Sequence, residues 1–198
     1  MAMIGDILSV LRDRLENLLQ NASPQAGQWV LLGGAVARDG GDLHVDSNKL
    51  VISLVGLQSD VSTGAFEPPR VNKTDWHTLR SPPLYLDVYF MVTANFSETN
   101  YEIGLRQLSR VIAYFQQTPI FTHDNAPSLT SDMDKLVVEF VSLDFAQQSH
   151  VLTCMGMKYA PCVFYRARRL PFAAEQISGA APTILSTGAG DPPAGPAR

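Results

Sequence analysis

The sequence predicts an α/β fold of the α+β kind, in which a mixed, largely antiparallel sheet is packed with two or three helices. Three observations predict this. An amphipathic stretch opens the chain, a strongly alternating strand begins at Leu84, and the elements follow in the order helix, strands, helix, strand, helix, strand. We find no internal repeat. A chain of 198 residues buries enough surface to form a core without a disulfide or a metal.

The first element is an amphipathic helix from Met3 to Gln20. Its apolar residues recur at three- and four-residue steps, which places them on one stripe of a helix. The helix ends at the breaker Asn21-Ala22-Ser23-Pro24. The residues of the stripe are Ile4, Ile7, Leu8, Leu11, Leu15, Leu18 and Leu19.

Three short strands follow this helix. Trp29 to Val36 is the first, and the turn residues Asp39-Gly40-Gly41 return the chain through Leu43-His44-Val45, as in a hairpin. Leu50 to Leu57, rich in Val, Ile and Leu, is the third. Its composition is typical of a strand.

The clearest strand begins at Leu84 and is followed by a second helix. Every second residue from Leu84 to Val92 is apolar, so one face of this strand must lie on a core. The helix ends at Pro119, because proline cannot continue it. Its predicted core face consists of Tyr101, Gly104, Leu105, Leu108, Val111, Ile112 and Phe115.

The last elements are a strand, a short helix and a strand. Leu136 to Leu143 has apolar residues of both parities, which predicts burial on both faces. Ala146 to Met155 is predicted to be a short helix. Ala160 to Leu170 is predicted to be the final strand.

Two segments have no sustained period. Ser59 to Pro83 contains several prolines and a glycine, and loops of that length are usually functional or disordered. Ser178 to Arg198 is mostly Ala, Gly and Pro and cannot bury enough surface to offset the entropy of ordering. We therefore expect a folded domain over residues 1–172 and a disordered tail over residues 173–198.

The charge argues against a nucleic-acid partner. The chain has 15 Lys and Arg against 19 Asp and Glu, a net charge of −4, whereas nucleic-acid binding depends on basic side chains. The one dense basic cluster, Arg166, Arg168 and Arg169, is too small to track a phosphate backbone. Charged residues are only 17% of the chain, and a low-charge surface suits burial against other proteins.

The compartment is predicted from what the chain lacks. Cys154 and Cys162 are too few for a disulfide-stapled scaffold, which predicts two thiols in a reducing compartment. The first residues lack the basic and apolar regions of a signal peptide, and the apolar stretches are too short to span a bilayer. We expect a protein made in the cytoplasm, without membrane insertion.

No catalytic signature is present. Two groups of residues are candidates for a chemical site, one for metal binding and one for catalysis. His123, Asp124, Asp132 and Asp134 contain metal-ligand types, but their spacing fits no known loop and the segment has turn composition. His150 and Cys154 lie four apart on the third helix, as a base and a nucleophile would. No third group orients His150, so packing is the favoured interpretation. We predict no enzymatic activity, no cofactor and no metal.

The candidate partner-contact residues lie in the long irregular segment. They are Phe66, Arg70, Lys73, Trp76 and Arg80. Large aromatics in such a segment anchor either in the domain's own core or in a partner, and flanking cations are common in interfaces.

A second basic group, Arg166 and Arg168, shares its strand parity with Cys162 and Phe164. Either the last strand leaves the core at this point, which we favour, or it presents guanidinium groups to an acidic partner.

The order of several motifs resembles a known family. The segment Arg80-Ser81-Pro82-Pro83-Leu84 leads into the strand Tyr85 to Ala94, and the second helix closes on Gln117-Thr118-Pro119-Ile120-Phe121. A weaker match is Lys158-Tyr159-Ala160-Pro161-Cys162-Val163-Phe164-Tyr165. This order resembles the tail-terminator or cap proteins of extracellular contractile injection systems, of the virulence-cassette and antifeeding-prophage type.

The resemblance implies a fold related to phage tail terminators and a structural role. It implies a ring, typically a hexamer, that sits on the distal end of the inner tube, contacts the last sheath layer and ends polymerisation of both. The particle is then either released or attached to a membrane. Two alternatives stay open, namely a small protein-binding accessory module of an unrelated system and a hydrolase that uses His150 and Cys154.

Overall fold

The computed structural model describes residues 4–24, 27–34, 48–59, 76–80, 84–131, 133–172 and 177–182. The chain forms two compact units. The larger unit comprises Met1–Thr63 and Leu84–Phe172, and the smaller unit comprises Gly64–Pro83 and Ala173–Arg198. Each unit therefore combines two stretches of chain that are distant in the sequence.

Three helices and eight strands make up the described structure, together with a 3₁₀ turn at Glu98–Asn100. None of the described helices is both long enough and apolar enough to cross a membrane. In chain order the elements are α1 (Ile4–Ala22), β1 (Val30–Leu32), β2 (Lys49–Ser59), β3 (Trp76–Arg80), β4 (Leu84–Asn95), α2 (Tyr101–Gln117), β5 (Ile120–Thr122), β6 (Lys135–Val141), α3 (Phe145–Cys154), β7 (Cys162–Phe172) and β8 (Ile177–Pro182).

A six-stranded sheet forms the centre of the larger unit. Its strand order is β1-β2-β4-β7-β6-β5. β1 pairs with β2 in parallel, and every other pair in this sheet is antiparallel. The predicted fold class, a mixed and largely antiparallel sheet packed with helices, is therefore confirmed.

The face of this sheet that α1 and α2 cover, called here the α1/α2 face, carries the main hydrophobic core. Aromatic rings fill its centre: Phe90 of β4, Phe115 of α2 and Tyr165 of β7 contact one another with ring centroids 4.7 to 6.4 Å apart. Aliphatic side chains surround the rings and exclude water from them. Fully buried members include Ile7, Leu11, Leu15, Leu50, Ile52, Val88, Val92 and Leu136.

The opposite face, called here the α3 face, has a smaller core. Met91 of β4, Phe164 of β7 and Leu152 of α3 form its buried cluster. A capping box starts α3, since the Asp144 side chain accepts a hydrogen bond from the Gln147 backbone N–H and the Gln147 side chain accepts one from the Asp144 backbone N–H. This reciprocal pair satisfies two donors at the helix start, which stabilises so short a helix.

A carboxylate fastens α1 to the start of β1. Glu16 of α1 accepts hydrogen bonds from the backbone N–H groups of Trp29 and Val30, at 2.9 and 2.8 Å. Val30 is the first residue of β1 and Trp29 directly precedes it, so the carboxylate satisfies backbone donors at the start of this strand. The sequence pattern places Glu16 only on the polar side of the α1 stripe.

The predicted strand Leu43-His44-Val45 lies outside the described residues. The other predicted elements of the larger unit occur with shifted ends, and two burial predictions are wrong. Tyr101, Leu105 and Ile112 were predicted in the core, yet they are 47%, 39% and 39% exposed, because the sheet meets a neighbouring stripe of α2. Phe140 of β6, predicted to be buried, is 55% exposed. The predicted turn at Asp39-Gly40-Gly41 lies outside the described residues.

The smaller unit contains a two-stranded antiparallel sheet of β3 and β8. Trp76 lies opposite Pro182, and Thr78 lies opposite Ala180. The sequence predicted no regular structure in either segment, and the structure differs in these two places. The hydrogen bonds of a β-ladder are made by backbone groups. Gly179 and Ala180 can therefore pair with β3, although neither residue type favours strands.

Candidate interaction surface

The predicted contact residues are only partly within the described structure. Phe66, Arg70 and Lys73 lie outside the described residues. Trp76 and Arg80 are the first and last residues of β3 and lie opposite Pro182 and Ile177. Their predicted placement in an irregular loop is therefore wrong, because pairing with β8 orders this stretch of backbone. Their role in binding stays a prediction.

His150 and Cys154 lie on α3 and are both exposed. Within the described ranges, no hydrogen bond or ion pair involves either side chain. Their neighbours Val151, Leu152 and Met155 pack against the α3 face of the sheet, which confirms the packing interpretation for these neighbours. The arrangement contains a histidine and a thiol on one helix, and no described residue orients the imidazole.

The segment around His123 forms a turn. The Asn125 side chain accepts a hydrogen bond from the Thr122 backbone N–H at 2.8 Å and donates one to the Ile120 carbonyl at 2.9 Å. In the described part of the chain, no three His, Cys, Asp or Glu side chains gather as metal ligands would. Asp132, which belongs to the same predicted group, lies outside the described residues.

A network of ion pairs crosses three strands on the α3 face. Glu139 of β6 binds Arg166 of β7 through Oε2 at 2.7 Å and Arg168 of β7 through Oε1 at 2.8 Å. Asp87 of β4 lies 3.6 Å from Arg166. Hydrogen bonds donated by Arg166 and Arg168 hold the pKa of the Glu139 carboxyl below its usual value. The hydrogen bond that Arg166 donates to Glu139 raises the pKa of Arg166.

This network argues against both interpretations of the arginines. Both guanidinium groups are paired with carboxylates of the same chain. β7 does not leave the core beside them either, because Ala167 and Leu170 are fully buried on the α1/α2 face. The favoured interpretation of a strand that leaves the core is wrong, since the other face of β7 stays covered while its α3 face carries charge.

Toward its end, the outer edge of β6 has no pairing partner in the described part of the chain. β5 pairs with β6 only from Lys135 to Val137, and one further bond runs from the Val138 N–H to the Pro119 carbonyl at 2.8 Å. Proline has no N–H to return to Val138. Alternation of the ladder points the N–H and C=O of Phe140 to the same side as those of Val138, where β5 no longer runs.

An apolar groove adjoins this open edge on the α1/α2 face. It has a volume of about 410 Å³ and lies between the second half of α2 and the end of β6. The Tyr165 hydroxyl near it is buried and has no hydrogen-bond partner among the described residues. Burial raises the pKa of Tyr165 to about 12. The groove is lined mainly by Ile112, Phe115, Pro119, Val138, Phe140 and Tyr165.

Among the described residues, none pairs with the outer side of the second half of β2. β1 pairs with β2 only from Leu50 to Ile52, whereas β2 continues along β4 as far as Ser59. A bulge lies between Leu54 and Gly56. Beyond the end of β1, Leu54 and Leu57 are 40% and 48% exposed. Within the described structure, both ends of the large sheet thus expose apolar side chains beside strand that has no outer partner.

Comparisons with known proteins give a family and a fold for this chain. The model of the Pvc16 N-terminal domain family matches residues 6–186. The PVC sheath/tube terminator in its extended state, from an extracellular contractile injection system, is similar over 100% of this chain and 66% of that chain, with a TM-score of 0.64 and 9% identity. The tube-terminating cap of the anti-feeding prophage is similar over 94% of this chain and 60% of that one, with a TM-score of 0.61 and 10% identity. No curated protein matches.

The identities and coverages define what this chain shares with the two solved structures. At 9% and 10% identity, the likeness to the solved structures establishes a shared fold. The chain spans 66% and 60% of their lengths, so each of them contains a further region that this sequence does not match.

Proposed function

The chain belongs to the Pvc16 N-terminal domain family, and from this membership we propose that it is a structural subunit of the terminator of a contractile injection system. In this role it closes the distal end of the inner tube and sheath, ends their polymerisation and stabilises the particle. The observation that carries the proposal is that the chain matches this family nearly end to end and has the fold of two such terminators.

The surface chemistry supports a binding role over a catalytic one. Large apolar side chains are exposed at both edges of the sheet, where partners would cover them. The exposed pair His150 and Cys154 has no orienting group among the described residues. The proposal therefore assigns no reaction to the chain, and it names tube protein, sheath protein and further copies of the chain as partners.

A closed ring, most simply a hexamer, is the assembly that we propose. Identical subunits that contact one another through two different surfaces close into a ring when the rotation between neighbours allows it. Such a ring matches the cyclic end of a tube and needs no active site. We propose that the segment holding Phe66, Arg70, Lys73, Trp76 and Arg80 supplies contacts to tube or sheath.

Deletion of the gene, with return of the intact gene as the control, tests the capping role. Without the chain we expect tubes and sheaths of irregular length and unstable particles, because nothing ends polymerisation. Electron micrographs of purified particles measure the length distribution. Particles of normal length and normal ends in the deletion would overturn the proposal.

The contact residues need a separate test in the complemented strain. Trp76→Ala should lower the fraction of particles that carry a terminator, because buried aromatics carry much of the binding energy of an interface, often 2 kcal/mol or more. His150→Ala and Cys154→Ala are the matched controls and should restore normal particles. Loss of particles in these controls, with the fold intact, would instead point to chemistry on α3.

A further inference from the structure

We propose that the large sheet continues from one copy of the chain to the next, with the outer edge of β2 of one copy added to the open end of β6 of its neighbour. This inference rests on the proposed ring and identifies its subunit contact. The occupant of the open β6 edge is thus a second copy of this chain.

A row of paired residues runs across the sheet and leads to this proposal. Leu54 of β2 lies opposite Phe90 of β4, Phe90 lies opposite Tyr165 of β7, and Tyr165 lies opposite Phe140 of β6. All four side chains point to the α1/α2 face, because directly paired residues share a face of the sheet. The two central members are 0% and 2% exposed, whereas the end members Leu54 and Phe140 are 40% and 55% exposed.

The two ends of the row have matching chemistry. Each is a large apolar side chain beside a stretch of strand that no described residue pairs with on its outer side. An unpaired strand edge with exposed apolar residues is a template for another strand. Joining Leu54 of one copy to Phe140 of the next would bury both side chains and extend the row without a break.

The strand directions are compatible with such a junction. β2 is antiparallel to β4, β4 to β7, and β7 to β6, so β2 and β6 run in opposite directions within one chain. When copies are related by rotation about an axis near the strand direction, this relation is kept between neighbours. The new pair would be antiparallel, like most pairs in the sheet.

A head-to-tail junction uses both edges of every copy. Pairing of β6 with β6 would instead form a closed dimer and would leave Leu54 and Leu57 in water. Two different surfaces that meet head to tail generate a ring when they close. The open end of β6 is also narrow, because Pro119 and α2 limit it on one side. It therefore has room for one added strand and not for a broad docking surface.

Disulfide crosslinking in the full chain tests the junction. Leu54→Cys and Phe140→Cys are combined in a background that carries Cys154→Ser and Cys162→Ala. Under mild oxidation, in concentrated protein and in purified particles, we expect a ladder of multiples of the monomer that ends in one closed species. Peptide mass spectrometry should identify a disulfide between positions 54 and 140. Each single cysteine variant should stay monomeric on a non-reducing gel.

A matched control replaces Leu54→Cys with Leu84→Cys. Leu84 is also an exposed leucine, at 53%, but it begins β4 and lies off the row, so its pair with Phe140→Cys should give no ladder. Circular dichroism checks that every variant is folded.

Three results would overturn the inference. They are dimers from Phe140→Cys alone, a disulfide from position 140 to a tube or sheath protein, and no disulfide between positions 54 and 140 in particles that carry the terminator. Each of these leaves the capping role standing, since that role is judged by particle length. A chain that neither joins particles nor crosslinks in solution would count against both.

Discussion

Glu139 shows how one side chain can link two strands of this sheet. Its two carboxylate oxygens bind two arginines, at 2.7 and 2.8 Å, and so tie β6 to β7. These groups are about a third exposed, at 35%, 32% and 38%, so solvent screens the pairs and reduces their contribution. Sequence alone leaves the arginines ambiguous, because strand parity cannot show that a carboxylate lies on the neighbouring strand.

We expect Glu139→Gln to lower the free energy of unfolding by about 1 kcal/mol at pH 7, after allowance for screening. The pKa of Glu139 is lowered in the folded state, so the stabilisation is present above the usual carboxyl pKa and is lost as pH falls through the folded value. Urea unfolding at pH 7 and at low pH measures the effect. The difference between variant and parent should shrink in acid.

Glu102→Gln is the matched control for this prediction. Glu102 pairs with Arg106 at 2.9 Å, but the two side chains are 87% and 62% exposed. An exposed pair of this kind contributes at most a few tenths of a kcal/mol. Equal losses in Glu102→Gln and Glu139→Gln would contradict the coupling that we assign to Glu139.

Tyr165 carries a second residue-scale prediction. Its hydroxyl is buried without a partner among the described residues, and burial raises its pKa to about 12. Stability from the neutral phenol is therefore fully present below the unfolded pKa of about 10 and is lost as pH rises toward 12.

Tyr165→Phe should keep the ring packing and remove the unpaired group. We expect unchanged or higher stability at pH 7, by up to about 1 kcal/mol, and a smaller loss of stability above pH 10. Thermal unfolding from pH 7 to pH 11 measures both. A strong loss at pH 7 would mean that the hydroxyl has a bonding partner after all.

Among the elements, α2 shows where the sequence pattern succeeds and where it fails. The helix runs from Tyr101 to Gln117. Its presence follows from the apolar periodicity and its end follows from Pro119. Its buried face is rotated relative to the predicted one, so that Gln107 is buried while Leu105 and Ile112 are exposed. The apolar stripe of α2 is wider than the surface that the sheet covers. The sequence pattern does not show which side of the stripe stays exposed.

Gly104 explains how closely α2 approaches the loop after β4. A methyl group at this position would lie 2.8 Å from Cδ2 of Phe96, and the Phe96 ring also stacks on Trp29 with centroids 6.5 Å apart. Alanine normally stabilises a helix interior by about 1 kcal/mol relative to glycine. Here we expect Gly104→Ala to destabilise by about 1–3 kcal/mol, because the ring must shift.

Gly5→Ala is the control, since a methyl group there meets nothing within 4 Å. We expect this change in α1 to leave stability unchanged or to raise it by up to about 1 kcal/mol. Chemical denaturation of both variants measures the difference in sign. Stabilisation by both changes would show that Phe96 can move away at little cost.

For the whole molecule, alternation along a strand predicts burial only as far as the packed layer extends. Phe140 continues the pattern of Leu136 and Val138 on β6, but the cover that α2 gives ends before it. Sequence periodicity shows which face of the strand a residue lies on. It does not show how far the helix that covers this face extends along the strand. The exposed ends of the sheet were therefore missed.

The smaller unit gives the whole-molecule prediction. A two-stranded sheet is marginally stable in water, so β3 and β8 should open more readily than the central strand β4. We expect hydrogen exchange of the amides in Trp76–Arg80 to be much faster than in Val88–Val92. Truncation after Ala174 should increase exchange in β3 further and leave β4 unchanged, whereas truncation after Pro182, which keeps β8, should leave both unchanged. Equal protection of β3 with and without β8 would contradict the pairing.

The distance in sequence between β3 and β8 also bears on how the protein comes off the ribosome. Arg80 and Ile177 are paired although about a hundred residues separate them, and contacts of such long range form late because a large loop must close first. During translation β3 emerges long before its partner exists, while the strands and helices of the larger unit are still being made. Synthesis past Ile177 is thus required before Trp76–Arg80 acquires its backbone partner, and a nascent chain must keep that edge from pairing with anything else in the interval.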